Sequence, residues 1–190
     1  MIKAVIFDFF GVLTEDGWLA FLSQYASAGD VEELRFLNHQ TSRGELNYQD
    51  FLKQVCDITS VDQATAHKLI SANHHPNDQL FTYIGKLKDA GYKLGIISNA
   101  GAELSEYMDA AYLTVFDQIT LSYHEASIKP EAAIYEAHLE KLGTPPAESV
   151  FVDDRSINVA GAKRVGMKAI LYQDVEQLKA ALAALGVDLK

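Results

Sequence analysis

Several short stretches of this sequence deliver side chains that could do chemistry together. The apolar run Val5-Ile6-Phe7 delivers Asp8, and the chain turns soon after at Gly11. Gly95-Ile96-Ile97 ends in Ser98-Asn99, and Val150-Phe151-Val152 ends in the carboxylate pair Asp153-Asp154. In SIKPEAAIY, Lys129 stands immediately before Pro130. A proline there suits the first position of a helix, which would fix the lysine at the helix mouth. Each residue alone has a plainer reading: an aspartate after a strand forms turns or caps helices, Ser-Asn opens a loop, and a lysine is a solvated charge. Asp153-Asp154 is harder to explain that way. Two adjacent carboxylates repel each other, and after a buried strand they call for a cation, most naturally Mg²⁺ with its preference for oxygen ligands.

The elements needed to bring these residues together follow a repeating pattern of helix, glycine and buried strand. The chain reads FTYIGKLKDAGYKLGIISN, then YEAHLEKLGTPPAESVFVDD, then INVAGAKRVGMKAILY, with Gly91, Gly143 and Gly166 where each helix should stop. The runs LGIIS, SVFV and KAILY are apolar on both faces, as expected of parallel strands covered by helices on each side. With KAVIFD at the start and FDQITLS near 116–122, the pattern predicts an α/β fold with a doubly wound, five-stranded parallel sheet. Ligands of such sheets bind outside the carboxyl ends of the strands. Neighbouring strands would therefore gather the carboxylate, hydroxyl, ammonium and carboxylate pair in one crevice.

Residues 15–75 break the rhythm. They contain no strand candidate and read as four short helices, WLAFLSQYAS, VEELRFLNHQ, YQDFLKQVCD and DQATAHKLIS. Asn47 should cap the third, with Asp50 in its first turn. A connection of this length exceeds an ordinary βα loop. The expected organisation is a core of residues 1–14 and 76–190 with a small all-helical cap of residues 15–75. The return passage SANHHPND would serve as a hinge strand.

Composition narrows the partners. A chain of 190 residues with 48% apolar and 22% charged residues is ordinary for a globular domain with a sizeable core. The formal charge of −10 disfavours nucleic acid, which needs clustered cations. It also means that an anionic ligand must be held by local groups: a metal ion, a lysine, or amides at a helix end. Cys56 is the single cysteine, so no internal disulfide forms and a reducing, cytoplasmic setting is expected. No apolar stretch suits a signal peptide or a membrane span.

Taken together, these motifs resemble the haloacid dehalogenase-like hydrolase superfamily, in the branch whose helical cap follows the first strand. FDFFGVLT is similar to its first motif, IISNA to its second, IKPEAAIYEAHLEKLG to its third and VFVDDRSINVAGAKRVGM to its fourth. Within that superfamily, DDRSINVAGAKRVGM and SRGELNYQDF look most like sugar-phosphate phosphatases and the phosphatase domain fused to soluble epoxide hydrolase. The resemblance implies a Rossmannoid core and a Mg²⁺-dependent phosphatase acting on a small phosphorylated metabolite. Asp8 would be the nucleophile that forms an aspartyl-phosphate, and would also contact the metal. Residue 10 would offer its backbone carbonyl to Mg²⁺. Ser98, with the Asn99 amide, would bind phosphoryl oxygens, and Lys129 would neutralise the phosphate and keep Asp8 ionised. Asp154 would complete the metal site, with Asp153 a direct or outer partner.

Phe10 departs from the family pattern. The usual second aspartate protonates the leaving oxygen and later activates water; a phenyl ring does neither. Such general acid–base help is worth ~10²–10⁴-fold, so the implied enzyme is slow. Two other functions stay open: a non-catalytic binder of a phospho-ligand, and a metal-independent 2-haloacid dehalogenase, whose halide leaves without a proton. The acidic pair argues against the latter. In the cap, Arg43 is the residue selected to face the site and grip a second anionic group, with a surface pair to Glu45 or Asp50 as its alternative. His39, His74 and His75 lack metal-ligand spacing, and Trp18 and Phe21 should form the cap's own core.

Overall fold

The computed structural model describes residues 1–72 and 75–189. Its five strands are β1 (Ala4–Phe7), β2 (Lys93–Ser98), β3 (Gln118–Leu121), β4 (Ser149–Asp153) and β5 (Lys168–Leu171), all parallel, in the order β3-β2-β1-β4-β5. The order reverses at β1, so a crevice opens at the carboxyl ends of β1 and its neighbours. Phe7 pairs with Ile96 on one side and Val152 on the other. The next residue along, Asp8, is therefore level with Asp153.

Each buried strand is apolar throughout because alternate side chains feed two different cores. Val5, Phe7, Leu94, Ile96, Val150 and Val152 enter one cluster, under α5 (Asp78–Asp89) and α10 (Val175–Ala184). Ala4, Ile6, Ile97 and Phe151 enter the other, under α8 (Ala132–Leu142) and α9 (Ser156–Arg164). Strand β5 departs from the expected two-sided burial. It is one of the two edge strands, and Lys168 and Leu171 are exposed. Gly91, Gly143 and Gly166 follow α5, α8 and α9 with positive φ, as the helix-stop pattern requires. Gly95 has a packing reason: a Cβ there would overlap the buried His138 ring.

Between β1 and α5 lie α1 (Gly17–Tyr25), α2 (Val31–Ser42), α3 (Tyr48–Thr59) and α4 (Gln63–His67), the last running into a π-helical turn, Lys68–Ala72. Asn47 caps α3 by accepting from the Asp50 amide at 2.9 Å. These helices share their own apolar cluster, centred on Phe21, Leu34, Phe51, Leu52 and Val55. The passages into and out of the segment run side by side. Thr14 bridges Pro76, and its hydroxyl donates to the His75 carbonyl at 2.9 Å. His74, one of the three histidines weighed for a metal, lies outside the described residues.

Two short helices absent from the sequence reading, α6 (Ala110–Leu113) and α7 (Ser122–Glu125), flank β3. Pro130 also differs from expectation. It precedes Glu131, the N-cap of α8, so it is not the first helical residue; its bond to Lys129 is cis. Among the described residues no helix is long and apolar enough to cross a membrane.

Candidate active site

Asp8 leaves the sheet where the switch between β2 and β4 opens it. Its amide stays in the sheet, donating to the Val152 carbonyl at 2.8 Å, while its carboxylate accepts from the Phe9 amide at 2.6 Å. Lys129 Nζ reaches this carboxylate at 2.5 Å and Asp153 Oδ2 at 2.9 Å. All three side chains are buried: Asp8 is 5% exposed, Lys129 3% and Asp153 0%. The ammonium also stands 5.4 Å from the centre of the Phe151 ring, where the π face adds to its stabilisation.

Asp153 is the hub of this network. Beyond Lys129, it accepts from the Arg155 amide at 2.8 Å and from Asn158 Nδ2, 3.1 Å from each carboxylate oxygen. The carbonyl of Asn158 in turn accepts from Tyr135 at 2.9 Å. Asn158 carries no distinguishing signal in the sequence beyond its place in DDRSIN, and its role emerges only from this packing.

Asp154 completes the group at the start of the loop after β4, and it is exposed. One carboxylate oxygen from each of Asp8, Asp153 and Asp154 lies within 4.8 Å of the other two. The approach of Asp154 explains Gly11. Its φ is +81°, and a Cβ there would come within 2.5 Å of Asp154 Oδ2, so a side chain would be both strained and obstructed.

Three carboxylates around one ammonium leave the cluster short of positive charge. Burial lifts the Asp8 carboxyl well above its usual range, against the pull of Lys129 and with the Asp153 charge adding to the rise. Burial also acts to raise Asp153, but Lys129 and the donors around it overcome this and hold it low. Asp154, exposed as a residue, is also raised, by the partial loss of water around its carboxylate and by the Asp153 charge. An all-oxygen donor set with this deficit fits a hard divalent cation.

Of the remaining expected residues, Ser98 is fully buried at the end of β2, and its hydroxyl has no hydrogen-bond partner among the described residues. The Asn99 side chain spans to the lysine loop, donating to the Lys129 carbonyl at 3.1 Å and accepting from the Lys129 amide at 2.8 Å. Phe10 packs edge-on against Phe9 and Tyr107, with ring centres 4.9 and 5.0 Å apart.

Arg43 is the exception, because the structure does not bring it to the others. Its guanidinium meets Glu131 at 2.5 Å and Glu45 at 3.3 Å, and its side chain does not line the cavity above the carboxylates. The Glu45 alternative is present; Glu131, just ahead of α8, is the stronger partner that local spacing could not indicate.

The cavity has a volume of about 620 Å³. Asp8, Phe10, Asn99, Lys129, Asp154 and Asn158 form one side, and residues of α1, α2 and α3 form the other. Trp18 stacks on Phe21, 5.9 Å away, as a core residue of the helices should, and it also lines this cavity. So does His39.

Known proteins share this chain's sequence pattern and fold. The chain is 27% identical over 181 residues to a sesquiterpene phosphatase of Aspergillus oryzae, covering 90% of each chain. It is 26% identical over 194 residues to a glyceraldehyde 3-phosphate phosphatase of Methanothermobacter thermautotrophicus, covering 90% of this chain and 85% of that one. Its fold matches the crystal structure of a haloacid dehalogenase (HAD) family enzyme from Bacteroides thetaiotaomicron in complex with magnesium and inorganic phosphate. That match has a TM-score of 0.70 and 21% identity, over 94% of this chain and 99% of that one. The pattern of the haloacid dehalogenase-like hydrolases covers residues 2–166, which include every strand end described above except that of β5. With its acidic cluster at the switch point of a five-stranded parallel sheet, this chain belongs to the haloacid dehalogenase-like hydrolase family.

Proposed function

We propose that the protein is a phosphatase for a small phosphorylated metabolite, with Asp8 as its nucleophile. The observation that carries this reading is the buried Asp8–Lys129–Asp153 network with Asp154 beside it, facing a cavity large enough for a metabolite. An Asp8 oxygen attacks phosphorus, the ester oxygen departs, and water then hydrolyses the aspartyl-phosphate. A carboxylate nucleophile thus divides the hydrolysis into two steps. Lys129 opposes the burial that raises the Asp8 carboxyl, favouring its ionised form, and neutralises phosphoryl charge, which is most of what phosphoryl transfer asks of a protein. The Ser98 hydroxyl, which has no hydrogen-bond partner among the described residues, and the Asn99 amide bind phosphoryl oxygens. Asp153 and Asn158 hold Lys129 in place.

Asp8, Asp154 and the carbonyl of Phe10 would hold Mg²⁺, with Asp153 a direct or outer partner. When bound, the ion supplies positive charge against the phosphoryl oxygens. Residues 1–14 and 76–190 act as the catalytic core and residues 15–75 as a cap. The separate apolar cluster of the helices and the paired passages at Thr14 and Pro76 support that division. The net charge of −10 speaks against nucleic acid and anionic membranes as partners, and the single Cys56 for a cytoplasmic setting.

Phe10 supports a second reading, a phospho-ligand binder without turnover, because no carboxylate stands at that position. One experiment separates the two: phosphate release from a panel of phosphorylated metabolites, with and without Mg²⁺, run on the native protein and Asp8→Asn. The phosphatase reading expects Mg²⁺-dependent release that disappears in a variant with an unchanged circular dichroism spectrum. Release retained by folded Asp8→Asn rules out the nucleophile assignment. Binding of Mg²⁺ and phosphate without release from any substrate favours the binder.

A further inference from the structure

The wall of the cavity opposite the carboxylates is sorted by burial. Its enclosed part is mainly apolar: Leu22, Phe51 and Ile70 are buried, half-buried Trp18 adjoins them, and Thr41 and Ser42 are the buried polar residues beside them. On the core side, Phe10 and the buried Tyr107 continue the apolar surface. The exposed polar residues Arg35 and His39 and half-buried Asn38 of this wall come from α2. A polar group that contacts ligand where water competes gives little selectivity. The others are Asp16, whose carboxylate accepts from the Leu19 amide, Tyr48, whose hydroxyl lies 3.4 Å from His67 Nδ1, and Ser42 at the end of α2. Thr41 also lines the cavity, but its hydroxyl is committed to the Leu37 carbonyl at 2.8 Å. Arg43, the cation expected to hold a second anionic group, is bound to Glu131 and Glu45 instead.

A polyol phosphate would therefore leave its hydroxyls facing Leu22, Phe51 and Ile70. Burying a hydroxyl without a partner is strongly unfavourable, whereas apolar surface gains on the same transfer. From this sorting we propose that the substrate is a phosphate monoester with an apolar organic body, whose phosphate lies at Asp8 and Lys129 and whose body packs against the wall of Trp18, Leu22, Phe51 and Ile70. This deepens the phosphatase reading and rests on it for turnover, though not for binding.

A homologous series tests it. n-Alkyl phosphates from ethyl to octyl have leaving groups of nearly constant basicity, so chain length reports the cavity and not the chemistry. With Mg²⁺ present, kcat/KM should rise about fourfold per methylene until the cavity is full. Glycerol, ribitol and glucose phosphates should fall well below alkyl phosphates of equal carbon number. Trp18→Ala should flatten the series. A native series without slope, or a preference for the polyol phosphates, would overturn the proposal while leaving the phosphatase reading intact, since phosphate would still be released. If no substrate releases phosphate, the phosphatase reading fails, and calorimetric titration with n-alkylphosphonates decides the matter. Affinity that grows with chain length supports the apolar cavity, and uniform affinity overturns it.

Discussion

Asn99 and Lys129 hold each other through a pair of hydrogen bonds: the Asn99 side-chain Nδ2 donates to the Lys129 backbone carbonyl, and the Lys129 backbone N–H donates to Asn99 Oδ1. They are 30 positions apart in sequence and belong to loops that follow different strands. The pair fixes the backbone of the lysine whose ammonium joins Asp8 to Asp153. Asn99→Ala should cost ~1–3 kcal/mol of stability, the penalty for unmet buried polar groups. It should lower kcat more than it raises KM, because Lys129 acts mostly on the transition state. Chemical denaturation and steady-state kinetics measure the two effects. A variant with native kcat would show that the lysine keeps its position without this tie.

The two neighbouring aspartates should separate by what their loss damages. Asp153 is saturated by Lys129, Asn158 and the Arg155 amide, so Asp153→Ala takes one of two carboxylates from a buried ammonium and leaves the Asn158 side chain and the Arg155 N–H without this acceptor. Breaking a buried pair in this way costs ~3–5 kcal/mol. Asp154 is exposed, and beyond its approach to Gly11 its oxygens face Asp8 and Asp153. Asp154→Ala should leave stability nearly unchanged and weaken Mg²⁺ binding the more. Calorimetric titration and thermal melts of both variants provide the test; equal or reversed losses of metal affinity would mean the roles are exchanged.

Phe10 should make catalysis depend steeply on how well the leaving group departs unaided. Aryl phosphates with acidic phenols should be hydrolysed far faster than alkyl phosphates, whose departing oxygen needs a proton. Phe10→Asp should narrow that gap, by up to ~10²-fold for the poorest leaving groups. Its new carboxyl would sit beside Tyr107 and Phe9, where burial raises its pKa and so favours the protonated form an acid requires. A plot of rate against leaving-group pKa for both proteins checks this. A shallow native slope would mean that a residue other than 10 already supplies the proton.

His138 predicts a pH dependence unrelated to catalysis. It is fully buried on α8; its Nδ1 lies 2.9 Å from the Thr120 hydroxyl, and its Nε2 has no partner among the described residues. Burial, and secondarily the Lys141 charge, pushes its pKa down to about 3, against ~6.5 in an unfolded chain. The unfolded state therefore takes up the proton first as pH falls. The stability from a neutral His138 is complete above pH ~6.5 and declines below it, by up to ~1.4 kcal/mol per pH unit, toward the folded value of about 3. His138→Gln should flatten the urea midpoint between pH 6.5 and 4 relative to the native protein. Parallel curves for the two would assign the acid sensitivity elsewhere.

The elements that local chemistry dictates were legible in the residues. Runs such as Val5-Ile6-Phe7 and Val150-Phe151-Val152 are apolar on both faces because each strand feeds two cores, and Gly91, Gly143 and Gly166 mark helix ends because those turns favour positive φ. Asn47 could be assigned as a cap from its neighbour three positions on. The carboxyl-end placement of Asp8, Ser98 and Asp153-Asp154 followed from the same pattern, since a parallel sheet with helical crossovers carries its strand ends to one edge.

What the tertiary structure decided are the partnerships between residues distant in sequence. Arg43 pairs with Glu131 across 88 positions, a contact that no spacing within α2 encodes. Asn158 and Asn99 became supports of Lys129 only once β4 and the loops after β2 and β3 were packed together. The sorted wall of the cavity depends on how α1 to α3 lie over the sheet edge. Hydrophobic periodicity specifies which face of a helix is buried, but not which distant side chain it meets. That choice is made by the packing of whole elements, where shape and the pairing of buried polar groups must be satisfied together.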